Sequence, residues 1–404
     1  NEEYYGCCVC ANNDILATGF IILGTDSPAI TLTRYGPDGV IKWRYVFQSS
    51  DVDDAKAVAE DSNGNIYVSG NTPGSSGPSE VLLMKLNSSG TLLWSRILDA
   101  GRADGIAVDS NDDIIVSGTL EVFVYGGNDI FTAKFNSSGT CLWKRAVGQN
   151  VFENGYTCAV DSNDNIYVSA SCMPSGVFQD HAATIKYAPD GTFQWLKAVG
   201  DGSLAYSGRS VAVDRAGNNY TCGYENTAAI LIKRNPSGTI LWSKKTVGSG
   251  LHSANCVTTD KFDNVYLGAY HDPNSQFKAQ PNVLKFNSSG TLLWSRGLKS
   301  TSDGFMTLNG ITVDHNSNVI LVGGTNESSS GGNDSYMVKL DPDGNGAGTY
   351  LGVLYGPSTL TVSNATFAEV ADTFLKSNQP TTTSTPSFSV SALTSTTAKA
   401  NMNT

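Results

Sequence analysis

Charge is scarce in this 404-residue chain: only 16% of residues are Asp, Glu, Lys or Arg, and 37 acidic against 26 basic residues leave a net charge of −11. A surface of that sign repels phosphate backbones, so nucleic acid is not an expected partner. Histidine is scarcer still. His181, His252, His271 and His315 read as falling in different repeats, without the i, i+2 or i+4 pairing of a zinc site or the makings of a triad. Long apolar runs are missing too. The longest, from Ile15 to Leu23, is broken by Thr18 and Gly19 and falls short of the roughly eighteen residues of a membrane-spanning helix, so no membrane insertion is expected. No G-x-S-x-G, P-loop or dinucleotide glycine motif occurs, and neither a catalytic residue nor a cofactor is expected. The chain opens on Asn1 rather than Met, which leaves targeting unread.

Cysteine is present, eight times, but not at equivalent places. Cys7, Cys8 and Cys10 crowd one expected strand, Cys158, Cys222 and Cys256 lie inside others, and Cys141 and Cys172 stand apart. A disulfide framework would recur with its unit, so buried free thiols are expected, which weakly favours assembly in a reducing compartment.

What does recur is a unit of about fifty residues. NSSGTLLWSR from Asn87, NSSGTCLWKR from Asn136, PSGTILWSK from Pro236 and NSSGTLLWSR from Asn287 are near copies, and GPDGVIKWRY from Gly36 and APDGTFQWLK from Ala188 are divergent ones. They place Trp43, Trp94, Trp143, Trp195, Trp242 and Trp294 at even steps. Upstream of each lies a second block of the type VDSNDNIYVSA, which occurs seven times if CANNDILATGF from Cys10 is included. The seventh unit lacks a Trp, and Tyr350 is expected to take the aromatic place.

Each unit reads as four short strands with tight turns between the first and second (D-x-N-G-N) and the third and fourth (N-S-S-G or P-D-G). Asn and Asp tolerate left-handed backbone there, and Gly adopts it without strain. Such a sheet cannot bury both faces alone. Stacking seven of them in a ring covers the faces and removes the terminal edges, so an all-β, seven-bladed β-propeller over 1–356 is expected. One basic residue per third strand (Arg34, Lys85, Lys134, Lys186, Lys233, Lys285, Lys339) should meet the turn aspartates Asp61, Asp109, Asp161, Asp214, Asp260 and Asp314, or turn carbonyls, on one face of the ring.

The run D-x-x-x-N-I-Y-V-S-G followed by K-x-N-S-S-G-T-L-x-W resembles the bacterial SBBP (seven-bladed β-propeller) repeat and looks related to NHL-type propellers. Repeats of that kind occur in bacterial surface and secreted proteins and in virion proteins of tailed phages, the Asn/Ser/Gly-rich, low-charge style being most similar to the cyanophage group. The resemblance implies a non-enzymatic structural or interaction module, a phage virion or tail component, with partners among other virion or surface proteins and a host glycan or surface protein. A secreted or bacterial cell-surface adhesin or carbohydrate-binding propeller is the alternative. The Gly-to-Trp spacing and the Cys7-Cys8 pair also imitate quinone-dependent dehydrogenases, but Cys7 occupies the slot of Val58, Ile106 and Cys158, which points to packing. D-S-N-G-N opens like a calcium loop yet lacks the later bidentate Glu, so no metal is expected.

The variable connections join the second and third strands, and function concentrates on such loops. Tyr125, Phe178, His271 and Phe277 are the candidate anchors of an interaction face. Residues 357–404 read as a docking tail: a helix over about 364–377 presenting Phe367, Val370, Phe374 and Leu375, a Thr/Pro/Ser linker over 378–386, and an extended segment over 387–404.

Overall fold

A computed structural model of the protein describes residues 1–22, 28–47, 54–73, 79–121, 127–148, 153–173, 179–201, 203–247, 250–272, 280–300, 304–326, 333–344, 348–350, 353–357 and 361–365. The expected candidates Tyr125, Phe178, Phe277, Phe367, Val370, Phe374 and Leu375 lie outside them.

Turn chemistry builds the first level. Asn13, Gly64, Asp112, Asp164, Gly217, Asp263 and Ser317 hold the left-handed position of the first turn in successive units, with φ between 60° and 77°. The aspartate opening the turn closes it by hydrogen bonds. Asp61 Oδ1 accepts from the Asn63 and Asn65 amides at 3.0 and 2.8 Å, and its Oδ2 from Tyr67 Oη at 3.1 Å. The D-S-N-G-N run therefore directs its carboxylate into its own turn.

Strands separated by such turns pair in chain order as antiparallel meanders. Blade 1 comprises Glu2–Val9, Ile15–Ile21, Ala29–Tyr35 and Ile41–Phe47. Blades 4, 5 and 6 start from inner strands Asn154–Val160, Tyr206–Val213 and Leu251–Thr259. Blades 2 and 3 share the strand Leu92–Val108: its beginning pairs with Ser79–Leu86 as the outer strand of blade 2, and its end, from Gly101, pairs with Ile114–Leu120 as the inner strand of blade 3.

Each inner strand packs against the next, and Gly310–Val313 of blade 7 packs against Glu2–Val9 of blade 1, so the ring is closed and seven-bladed. Among the described residues, a backbone bond from the Glu2 amide to the Asn333 oxygen at 2.7 Å and several side-chain bonds join blade 1 to blade 7. Glu3 Oε1 accepts from Thr307 Oγ1 at 2.6 Å and from Asn309 Nδ2 at 2.8 Å, and Ser335 Oγ donates to Glu2 at 2.6 Å. Middle strands such as Ile166–Cys172 and His181–Tyr187 are buried along their whole length because each blade is covered on both faces. Between blades 1 and 2, Leu16, Leu32, Val58, Val68, Leu82 and Met84 form one apolar cluster, each side chain contributing about 1.5–3 kcal/mol on burial.

The third-strand cations form the belt expected from their spacing. Each reaches a backbone oxygen in the third turn of the following blade: Arg34 to Ser88 (3.2 Å), Lys85 to Ser137 (2.9 Å), Lys134 to Pro189 (3.5 Å), Lys186 to Pro236 (3.1 Å), Lys233 to Ser288 (3.0 Å), Lys285 to Pro342 (2.7 Å) and, across the closure, Lys339 to Pro37 (2.9 Å). Four of these oxygens also accept the indole N–H of Trp143, Trp195, Trp242 or Trp294 from the same preceding blade. Where Ile115 and Ile320 replace the turn-bonding tyrosine, Lys134 and Lys339 meet Asp109 and Asp314 directly, at 2.5 and 2.8 Å.

Tyr350 does not complete blade 7. That blade has three described strands, ending with Asp334–Leu340, while Gly348–Tyr350 pairs with Val353–Pro357, which in turn extends the outer edge of blade 6 at Arg296 to Ser300. Thr361–Asn364 likewise adds a strand to the outer edge of blade 5. The physical reason is edge competition: any open outer strand offers the same row of backbone groups, and without a Trp to seat on blade 1 nothing directs this segment to blade 7.

Candidate functional site

Six inner strands carry a register irregularity at the same place, where an extra residue bulges from the ladder. The residues there are Tyr5, Lys56, Asp104, Tyr156, Arg209 and Asn255, and Asn309 holds the equivalent position in blade 7. All are half-buried. Because inner strands surround the ring axis, residues at the bulge meet across blades. Lys56 Nζ lies 3.7 Å from the centre of the Tyr5 ring, the Arg209 guanidinium 4.8 Å from that of Tyr156, and Asn255 Nδ2 donates to the Leu308 oxygen at 3.3 Å.

Residues two places earlier add charge. Lys56 pairs with Asp54 at 2.8 Å, Arg102 with Asp104 at 3.2 Å, and Arg102 also donates to Asn154 Oδ1 at 2.8 Å. Burial pushes the Asp104 carboxyl above its usual range, against the pull of Arg102 and Lys56. Burial, aided by Glu3 and Asp54, likewise raises Tyr5. The axis thus presents an uneven, charge-bearing lining whose chemistry differs from blade to blade, suited to hydrogen-bonding a polar ligand.

Sequence reasoning passed over this column. Its signal is positional: each residue stands five places before the first-turn Asp or its equivalent, Cys10 in blade 1.

Of the loop candidates, His271 is described. It is the penultimate residue of the strand Val265–Asp272, and its ring meets that of His252 edge-on at 4.5 Å. Both belong to blade 6, which corrects their assignment to different repeats: Leu251–Thr259 and Val265–Asp272 pair directly, with His252 opposite His271. His252 is buried, its Nδ1 2.8 Å from Thr246 Oγ1.

The Cys7-Cys8 pair is split between two cores. Neighbouring residues in a strand point to opposite faces, so Cys7 packs with Ile15, Ile320 and Val322 toward blade 7, whereas Cys8 packs with the cluster shared with blade 2. Burial pushes both thiols up, and all eight cysteines are free. Among the described residues, no group of three or more His, Cys, Asp or Glu side chains is placed to hold a metal ion.

The arrangement defines a β-propeller protein. A family described as "Domain of unknown function (DUF5122) beta-propeller" matches residues 316–345, and no curated protein sequence matches the chain. Among solved structures, a PL25 ulvan lyase bound to a glucuronate-containing saccharide is similar at 10% identity and a TM-score of 0.51, over 83% of this chain and 91% of the lyase. The Dos1 propeller (10% identity, TM-score 0.49, 79% of this chain and 74% of that one) and a glucose dehydrogenase (11%, 0.40, 70% and 95%) are also similar. At 10% identity the likeness to the lyase speaks for the fold and for nothing finer.

Proposed function

We propose that the protein is a non-enzymatic recognition and assembly module, carried on a phage virion or tail, which exposes its propeller for attachment and docks through its C-terminal tail. The observation that carries the reading is a contrast between two columns of the repeat. The belt cations recur as Lys or Arg in every blade and are engaged in blade-to-blade bonds. The axis column, at an equally repeated position, holds Tyr, Lys, Asp, Tyr, Arg, Asn and Asn. Duplication of a structural unit repeats a residue that the scaffold needs. A column that varies around the ring suits an asymmetric ligand met by a rigid frame, and enrichment in Tyr and Arg is typical of binding surfaces.

Placement on a virion follows from the resemblance of the repeats, and the docking role of residues 357–404 from their position beyond the repeat. Mass spectrometry of purified particles, with an antibody to the propeller located by electron microscopy, tests both. The chain is expected in the particle with the propeller outward. Its absence from particles but presence on a bacterial surface would leave the adhesin alternative standing. A bound quinone absorbance or turnover of a sugar would overturn the non-enzymatic reading.

A further inference from the structure

Most charges around the axis are partnered: Lys56 by Asp54, Arg102 by Asp104 and Asn154, Glu3 by Thr307 and Asn309. Arg209 differs. Among the described residues its side chain makes no hydrogen bond and no ion pair; its guanidinium lies instead over two rings, 4.8 Å from the centre of Tyr156 on blade 4 and 5.6 Å from that of Tyr224 on its own blade. An aromatic ring attracts a cation through its face. The five N–H donors of a guanidinium, however, lie in its plane and point outward at its rim, so ring contacts leave them unmet. Two flanking phenols also restrain a long side chain before any ligand arrives, which lowers the ordering cost of binding.

We propose that Tyr156, Arg209 and Tyr224 form a clamp for the carboxylate of an acidic saccharide, an inference that rests on the recognition role proposed above. The planar fork of Arg matches a planar carboxylate with two parallel hydrogen bonds. The surroundings decide against more highly charged anions. Asp180 is an acid within electrostatic reach of Arg209; burial pushes its carboxyl up while His181 and Arg209 draw it down. Burial also lowers His181, which removes it as a second cation near neutrality. One cation with one acid nearby suits a singly charged group, whereas phosphate or sulfate sites gather several cations.

The polar groups on the two flanking rings are the phenol hydroxyls of Tyr156 and Tyr224, which make no hydrogen bonds among the described residues. These match the hydroxyls of a sugar. A peptide would need seats for apolar side chains, but most exposed large apolar residues, such as Val40, Ile41, Leu93, Leu142 and Leu241, belong to the third turns and outer strands, and none of the exposed ones stands in the axis column.

Calorimetric titration of the full chain tests the assignment, with trigalacturonate, its neutral methyl ester and a tripeptide with a free C-terminus as probes. Trigalacturonate is expected to bind, and the ester and Arg209→Gln to weaken binding by about 10- to 100-fold. Tyr224→Phe is expected to weaken it by a few-fold. Arg215→Gln, which removes an exposed cation in a first turn, six residues beyond Arg209 and paired with Asp263, is expected to change it less than about twofold. Unchanged thermal midpoints will show that the variants are folded. Equal affinity of Arg209→Gln, equal binding of the ester, tighter binding of the peptide, or no saturation by about 10 mM trigalacturonate would each overturn the clamp. A chain that is found on particles and attaches to cells yet ignores uronates sinks this inference alone, whereas a chain that binds uronates but is absent from particles and cell surfaces sinks the proposed role alone.

Discussion

Every third turn carries a left-handed glycine, and six of the seven sit beneath a side chain from the preceding blade. At Gly191, φ is 78° and an added Cβ would lie 2.6 Å from Trp143 Cδ2 and 2.9 Å from Cε2. At Gly39, φ is 83° but an added Cβ would meet no described atom within 4 Å, because blade 7 contributes no Trp. The two positions therefore separate two effects. Gly39→Ala isolates the left-handed penalty, about 1–2 kcal/mol. Gly191→Ala carries that penalty and must also displace an indole held by its 3.2 Å bond to the Pro189 oxygen, adding about 1–3 kcal/mol of overpacking. Urea unfolding followed by tryptophan fluorescence should show the Gly191 variant less stable by the second amount, with a matching change in the Trp143 signal. Equal losses for the two variants, or the greater loss at Gly39, would refute the reasoning that indole seating locks neighbouring blades.

Lys134→Met should cost about 3–5 kcal/mol, since it leaves the Asp109 carboxylate, whose side chain is 1% exposed, without its cation; adding Asp109→Asn should recover part of the loss in a double-mutant cycle. Stability should fall in acid. Burial alone would raise Asp14 and Asp314, but bonds from Lys42 and Arg34 to the first, and from Asn318 and Lys339 to the second, hold both below the usual carboxylate range. Their contribution is therefore complete above the unfolded value of about 4 and is lost as pH drops through the lower folded values. Thermal midpoints measured from pH 6 to pH 2 should decline in that window, and a midpoint rising on acidification would contradict the assignment. Thiol titration should find the buried cysteines slow to react until denaturant is added, because burial pushes them up, Cys158 to about 12. Diamide should form no Cys7–Cys8 disulfide in the native protein, and appearance of that bridge would place the two on one face after all.

Much of the architecture was legible because it is encoded over short distances. D-x-N-G-N and N-S-S-G each contain the carboxylate or amide acceptor and the left-handed residue that close their own turn, so seven copies announce seven meanders. The Lys belt was legible for a related reason: a residue fixed relative to two turns in every copy must meet the same neighbour in every copy. Tyr350 misled because aromatic character alone does not choose an edge. Its segment pairs on blade 6, where an outer strand stood open. His252 and His271 are nineteen places apart in the chain, and only the pairing of two adjacent strands brings their rings together.

The repeat, the number of blades and the bonds that hold turns together followed from residue order, since each depends on chemistry within a few positions or on strict periodicity. The axis column did not. Tyr5, Lys56, Asp104, Tyr156 and Arg209 stand some fifty places apart in sequence, and nothing in a strand's own pattern says that an extra residue bulges toward an axis. That axis exists only once the seventh blade has packed against the first, and closure of the ring is what turns a scattered set of side chains into one lining.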